Sequence, residues 1–403
     1  METPSTTPPQ AMTTAQQRRD KIVALQSARG QRLVISYITS TRQRFEMQIS
    51  DDILPHLYRH LELGRDQAAQ YGVDLFLHSN GGSGTAPWRI VNLIREYTKN
   101  FAVLVPNHAF SAGTLIAMGA DSIVMHKMGC LGPIDPSVAN VFNPMNPLSP
   151  GQLAPISVED VSAYFKLVKE SVGITHEDEL IQALVALTDK IHPLALGNVQ
   201  RHHLQARLIA RKLLKKHMEK DQDHEINQII DNLKSNIFFH GHPINRTEAE
   251  HDLKMKVKTP TAEIEQLMWN LYLDYEQALK LNEPFNPLHE MDVRTPPTSA
   301  TSVTTQQIIQ QMGEMAKAGL GLGPVNEEQF VKLAAAMVPL LSGPKACSKV
   351  RLEKMPGAYV ESASRTDVFL TDLALDRLSI AGPAGPQEVI KQEALWQRWE
   401  TES

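Results

Sequence analysis

The sequence predicts an α/β protein whose core is a mostly parallel sheet, and three observations carry that reading. Between Leu75 and Met125, short apolar runs alternate with segments of helical periodicity. The connections between them are short, as in successive right-handed βαβ units. The runs are apolar almost without interruption, which suits strands covered on both faces. In such sheets a ligand site lies outside the carboxyl ends of the strands.

In chain order, Met1 to about Gln16 is rich in Thr, Pro and Gln and is expected to be a disordered tail without a signal-peptide layout. Thr14 to Ala28 reads as a helix stopped near Gly30, and Arg32 to Ser40, β-branched and aromatic, reads as a strand. Ser50-Asp51-Asp52 is expected to cap a helix running to about Tyr71. Leu75–His78 is a strand entering the turn Ser79-Asn80-Gly81-Gly82-Ser83-Gly84. A helix follows from Ala86 to Thr98, with Trp88, Val91, Ile94 and Arg95 at helical spacing. Phe101–Val105 is the next strand, Ser111 opens the next helix, and Ile123–Met125 is a third strand.

Asn140 to Pro155 reads as a loop. Ser157 to Lys220 is helical, with Val161, Tyr164, Phe165 and Val168 on one stripe and Leu204, Leu208 and Leu213 on another. Helices are expected over Asp221–Asn236, from Arg246 and over Pro260–Leu281, with a short strand at Ile237–Phe239. Thr295–Thr305 is a linker, Gln306–Met337 has broken helical pieces, and the last forty or so residues are mixed. The resulting division is a tail and helix (1–30), a principal domain (31–285) and a linker with a partly disordered C-terminal extension (286–403).

Composition narrows the function. A chain of 403 residues, 42% hydrophobic and 21% charged, has material for a sizeable core. Its net charge of −5 supplies no field for a phosphate backbone, so nucleic acid is not an expected partner; the basic run Arg207–Lys220 sits on a helical pattern and reads as a solvated face. No window holds about eighteen unbroken apolar residues, so no membrane span is expected. Two cysteines, Cys130 and Cys347, imply no disulfide framework and fit a reducing compartment, with the cytoplasm the expected location.

The chemistry gathers at two turns. Ser111, on a strand-to-helix corner, can expose its hydroxyl where free N–H groups favour negative charge, which suits a nucleophile; a serine there can equally be an N-cap. The glycines at 81 and 82 allow close backbone approach, and the N–H groups of Gly82 and Ala112 can form a pair of donors for an oxyanion. Asn80-Gly81-Gly82 can also be only a tight turn.

The runs D-L-F-L-H-S-N-G-G, A-F-S-A-G-T-L-I-A and L-G-P-I-D-P, followed by H-P-L-A-L-G-N-V-Q and H-G-H-P-I-N-R, resemble the serine dehydrogenase proteinase family, a branch of the Clp-fold serine peptidases. The resemblance spans about Leu33 to Leu281. It implies a Clp/crotonase-like ββα-repeat core and a serine–aspartate–histidine triad in that chain order. The nucleophile carried over is Ser111, the aspartate is Asp135 in Gly132-Pro133-Ile134-Asp135-Pro136, and the histidine is His240, with His242 and His192 as alternatives. Gly81, Gly82 and Ala112 would form the oxyanion site. Asn80 stands where the family commonly has proline.

The implied activity is a serine endopeptidase acting on peptide or protein substrates through an acyl-enzyme, with no cofactor and no metal. It implies a homo-oligomer, for which Val161–Asn232 is a candidate contact segment; whether an ATPase partner exists is left open. Two alternatives stand beside it: a crotonase-like acyl-thioester enzyme using the same donors without a serine nucleophile, and a non-catalytic Clp-fold scaffold. Asp135 can also be a turn residue, Lys127 a solvated lysine rather than a serine-activating base, and Cys130 a small buried hydrophobe.

Overall fold

A computed structural model describes residues 14–134, 137–138, 140–146, 153–154, 156–235, 242–294, 349–382 and 385–402. The expected tail before residue 14, the strand at 237–239, the linker and helical pieces of 295–337, and Cys347 lie outside them. The described chain divides into two units. The first comprises Met1–Pro284, Pro356–Phe369 and Trp399–Ser403, and the second Phe285–Met355 and Leu370–Arg398.

The first unit opens with helix α1 (Ala15–Ala28), whose N-cap Thr14 forms a capping box with Gln17. Then come β1 (Leu33–Thr39), α2 (Leu54–Leu63), α3 (Arg65–Tyr71), β2 (Val73–His78), α4 (Ala86–Tyr97), β3 (Phe101–Val105), β4 (His108–Ala109), α5 (Ala112–Met118) and β5 (Ser122–Met125). After these the chain runs through β6 (Cys130–Leu131), β7 (Ser137–Val138), β8 (Ile156–Ser157), α6 (Val158–Lys166), α7 (Glu177–Thr188), α8 (Pro193–Leu214), α9 (Asp223–Ser235), β9 (Ile244–Asn245), α10 (Arg246–His251), β10 (Val257–Lys258) and α11 (Ala262–Leu279).

Strands β1, β2, β3, β5 and β10 pair in parallel, in the order β10-β5-β3-β2-β1. Every residue of β1, β2, β3 and β5 is buried, which is why their sequences do not alternate. Odd-numbered residues such as Leu33, Ile35, Leu75, Leu77, Val103 and Val105 pack with Leu57, Ile90, Ile94, Leu115 and Leu213 of the helices. Phe76, on the other face of β2, meets Tyr275 of α11 at a ring separation of 6.4 Å. This is the mostly parallel α/β sheet that the sequence predicts, and it agrees with a ClpP-like fold.

Some elements differ from expectation. The helix read from Ser50 to Tyr71 is two helices, broken at Gly64, where an added Cβ would lie 2.6 Å from the Leu33 side chain. Ser50 does not cap it, because its hydroxyl turns to the Asp52 carboxylate instead. Leu204 and Leu208, read as a packing stripe, are 55% and 52% exposed; α8 buries Ala195, Val199, Ala206, Ile209, Ala210, Leu213 and Leu214. Cys130, expected as a buried hydrophobe, is only partly covered, and burial pushes its thiol pKa up.

The largest addition is at the C-terminal end, which carries β11 (Lys349–Ser362), β12 (Arg365–Gly382) and β13 (Gly385–Glu402). Residues 358–361 pair antiparallel with residues 36–39 of β1, so the first unit includes chain that the sequence assigns to the extension. The second unit contains helix α12 (Pro287–Arg294) and, on its strand segments, an ion pair of Arg351 with Asp372 at 3.1 Å. No helix of the described residues is long and apolar enough to cross a membrane.

Candidate active site

The two small-residue turns meet. Beyond β2 the chain makes a bridge at Ser79 to Ala109, with Ser79 N–H donating to His108 O (3.1 Å) and Phe110 N–H to Ser79 O (2.9 Å). The glycine turn is then held from its other side by Ile49, whose N–H donates to Gly81 O and whose carbonyl accepts from Ser83 N–H, both at 2.8 Å. Gly81 has φ of +109°, and a Cβ there would stand 2.8 Å from Ser111 Cβ and 2.9 Å from Phe110 O. Glycine at 81 is therefore what lets the first turn reach the second.

Ser111 precedes α5 with φ of +49° and ψ of −107°, and its side chain makes no capping bond. A non-glycine residue in this region carries strain of about 1–3 kcal/mol, and such strain collects where a side chain must be aimed. Among the described residues no side chain hydrogen-bonds to Ser111, which is partly exposed. Neither Gly82 N–H nor Ala112 N–H meets a backbone carbonyl of the described residues. The Ser111 turn thus stands against Gly81 of the glycine turn, and in each turn one amide, that of Ala112 and that of Gly82, makes no backbone hydrogen bond among the described residues. Glycine relieves strain at φ above zero, whereas alanine retains it. Ser111→Gly is accordingly expected to exceed Ser111→Ala in stability by about 1 kcal/mol in urea titrations; equal midpoints would show that the backbone there is relaxed.

Other segments converge on the same corner. Thr114 Oγ1 donates toward the carbonyls of Ala109 and Gly132, each 2.9 Å away, and accepts from Gly132 N–H at 3.1 Å. A Cβ on Gly132 would lie 3.0 Å from the Phe110 ring. The segment leading through Ile134 toward position 135 is therefore fixed against the Ser111 turn. Asp135 itself lies outside the described residues. β4, β6 and β9 form a second, three-stranded sheet, with Leu131 opposite both Ala109 and Ile244, and this brings the chain from His242 to Asn245 alongside.

His240 also lies outside the described residues. His242 is 34% exposed and lies 2.8 Å from Glu248 Oε1. His192 is the N-cap of α8, where its Nδ1 accepts from Leu194 N–H at 3.1 Å and its ring stacks on Phe142. Lys127 is 69% exposed and 3.8 Å from Glu265. The described residues contain no group of three or more His, Cys, Asp or Glu side chains arranged to hold a metal ion.

Sequence reasoning missed two histidines that line these turns. His78 and His108 have ring centroids 4.2 Å apart, and His108 stacks on Phe110 at 4.5 Å. Burial lowers the pKa of both, His78 well below the usual histidine value and His108 to about 4. The signal was positional: each stands three residues before a turn residue, His78 before Gly81 and His108 before Ser111, on neighbouring segments in register.

Residues 12–147 match a family model described as ClpP-like SDH-type serine proteinase. Two uncharacterized proteins of Methanocaldococcus jannaschii are 38% and 39% identical to the chain over 66 residues, which is 16% of this chain and 23% of each relative. The chain thus spans less than a quarter of the length of these curated relatives. Among solved structures, a mutant of the 1510-N membrane-bound stomatin-specific protease is 20% identical, with a TM-score of 0.24, covering 39% of this chain and 69% of that one. The family match takes in both turns and Asp135 but ends before His192, His240 and His242. Over residues 12–147, the chain is therefore similar to the ClpP-like SDH-type serine proteinases.

Proposed function

We propose that the protein is a serine endopeptidase that hydrolyses peptide bonds through an acyl-enzyme on Ser111. The observation that carries this reading is the conformation of Ser111, a strained, non-capping serine whose hydroxyl stands free beside the glycine turn. A serine serving only to start a helix would adopt extended backbone and bond to the first turn.

In this reading His240 removes the Ser111 proton as the hydroxyl oxygen attacks the scissile carbonyl. Asp135 orients the imidazole and stabilises its cation. The carbonyl oxygen becomes negative and is met by the N–H groups of Gly82 and Ala112. The imidazolium then protonates the leaving amine, and water repeats the cycle on the resulting ester. His242, next to Glu248, is the second choice for the base.

A fluorophosphonate probe tests the assignment. It is expected to label the wild-type chain on Ser111, to leave Ser111→Ala unlabelled and to label His240→Ala slowly. Labelling that survives the loss of Ser111 would refute the nucleophile. A chain that converts an acyl thioester equally well as Ser111→Ala would instead be crotonase-like, and one with neither activity a scaffold.

A further inference from the structure

Tyr272 on α11 lies at one end of a chain of polar contacts that finishes at the glycine turn. Burial and the neighbouring Glu276 carboxylate raise its pKa and keep its hydroxyl protonated, and the oxygen accepts from Asn107 Nδ2, which is 2.8 Å away. That fixes the Asn107 carboxamide, so its Oδ1 faces His108 Nδ1 at 3.0 Å and accepts a hydrogen bond from the protonated ring nitrogen. Burial keeps His108 neutral at neutral pH, since its pKa is pushed down to about 4. A neutral imidazole with Nδ1 protonated has a bare Nε2, and this nitrogen lies 2.9 Å from Asn80 Oδ1. Two acceptors make no hydrogen bond, so the network requires the Asn80 carboxamide turned over, with its NH2 group toward the ring.

The same imidazole touches the other turn. Its face stacks on Phe110, the residue before Ser111, with an interplanar angle of 21°. One edge of the ring thus holds the residue before Gly81-Gly82, and one face holds the residue before Ser111. Asparagine does not fix φ covalently as a proline would, so this turn is left to be held by a side-chain bond.

We propose that His108 is a positioning residue that locks the Asn80-Gly81-Gly82 turn against the Ser111 turn, and that the Asn80 hydrogen bond rather than the ring stack does this. The inference rests on reading Ser111 as the nucleophile. Its consequence is kinetic: an amide donor held a fraction of an ångström off the developing oxyanion loses stabilisation of the transition state more than binding of the substrate.

The test separates bond from stack in the full-length protein. His108→Phe keeps an aromatic face and loses both bonds, while His108→Gln returns an amide to Nε2's position without the ring. With a peptide substrate and the fluorophosphonate probe, His108→Phe is expected to lose about 100-fold in kcat and in labelling rate with KM little changed. His108→Gln is expected to stay within about tenfold of wild type. Asn80→Ala, at an exposed position where folding is not at stake, is expected to fall as His108→Phe does. If Asn80→Ala or a folded His108→Phe acylates at the wild-type rate, the proposal is overturned while the peptidase reading stands. A wild-type chain that never acylates overturns both.

Discussion

Replacing Gly82 by alanine is expected to cut acylation of Ser111 by about 100- to 1000-fold, the loss that follows when one oxyanion donor is misplaced. A Cβ at Gly82 would stand 2.3 Å from Ile49 O and 2.5 Å from Ile49 N. Both are backbone atoms, and both are engaged: Ile49 N–H donates to Gly81 O and Ile49 O accepts from Ser83 N–H, each at 2.8 Å. A flexible side chain could swing aside at small cost, but a backbone hydrogen-bonded on either side of the intruding atom moves only with the turn. The turn must therefore shift, and the Gly82 N–H shifts with it. A Cβ added at Gly84, in the same loop, would meet nothing within 4 Å, so Gly84→Ala serves as the matched control and is expected to label as wild type. Equal labelling rates for Gly82→Ala and Gly84→Ala would remove the glycine turn from the chemistry.

The sheet and the location of the two turns were readable because their causes are local. Apolar runs such as Phe101–Val105 and the Gly81-Gly82 pair state their preferences within a few residues. What Ser111 does with its backbone was not readable, since φ of +49° is imposed by packing against a turn about thirty residues earlier in the chain. His108 was hidden for the same reason: among 15 histidines, only the register of Ser79 against Ala109 brings it beside Asn80. The strand at 358–361 shows the limit most clearly. Its sequence, Ala358-Tyr359-Val360-Glu361, allows a strand, but nothing local indicates that its partner is Ser36–Thr39 at the opposite end of the chain. Asp135 and His240 remain assignments from sequence.

That distant pairing makes the C-terminal strands a requirement for folding, and a chain ending at Arg294 is expected to be recovered only as aggregate. β1 lies between β2 and the 358–361 segment, and all seven of its residues are buried. Removing the segment would leave β1 as a long apolar edge with unpaired backbone groups, a template for intermolecular pairing. A point substitution isolates the same contact. Glu361 is fully buried and accepts from Arg18 Nε at 2.8 Å, Tyr275 OH at 2.7 Å and Thr366 Oγ1 at 2.5 Å, so it joins α1, α11 and the C-terminal strands. Arg18, 2% exposed, lies over the Tyr359 ring at 4.5 Å; burial alone would lower its pKa, but the attraction of Glu361 holds it above the usual arginine value. Glu361→Ala leaves that buried guanidinium with only the more distant carboxylate of Glu402, 3.8 Å away, and is expected to cost about 3 kcal/mol, a large share of the roughly 5–15 kcal/mol that stabilises a typical domain. Glu361→Leu combined with Arg18→Met removes both charges and is expected to recover much of the loss, because a buried pair replaced by apolar groups of similar volume is often near neutral. Urea titrations of the three full-length chains decide the matter: a Glu361→Ala midpoint equal to wild type, or a double variant weaker than the single one, would mean that the C-terminal strands are not anchored through this carboxylate.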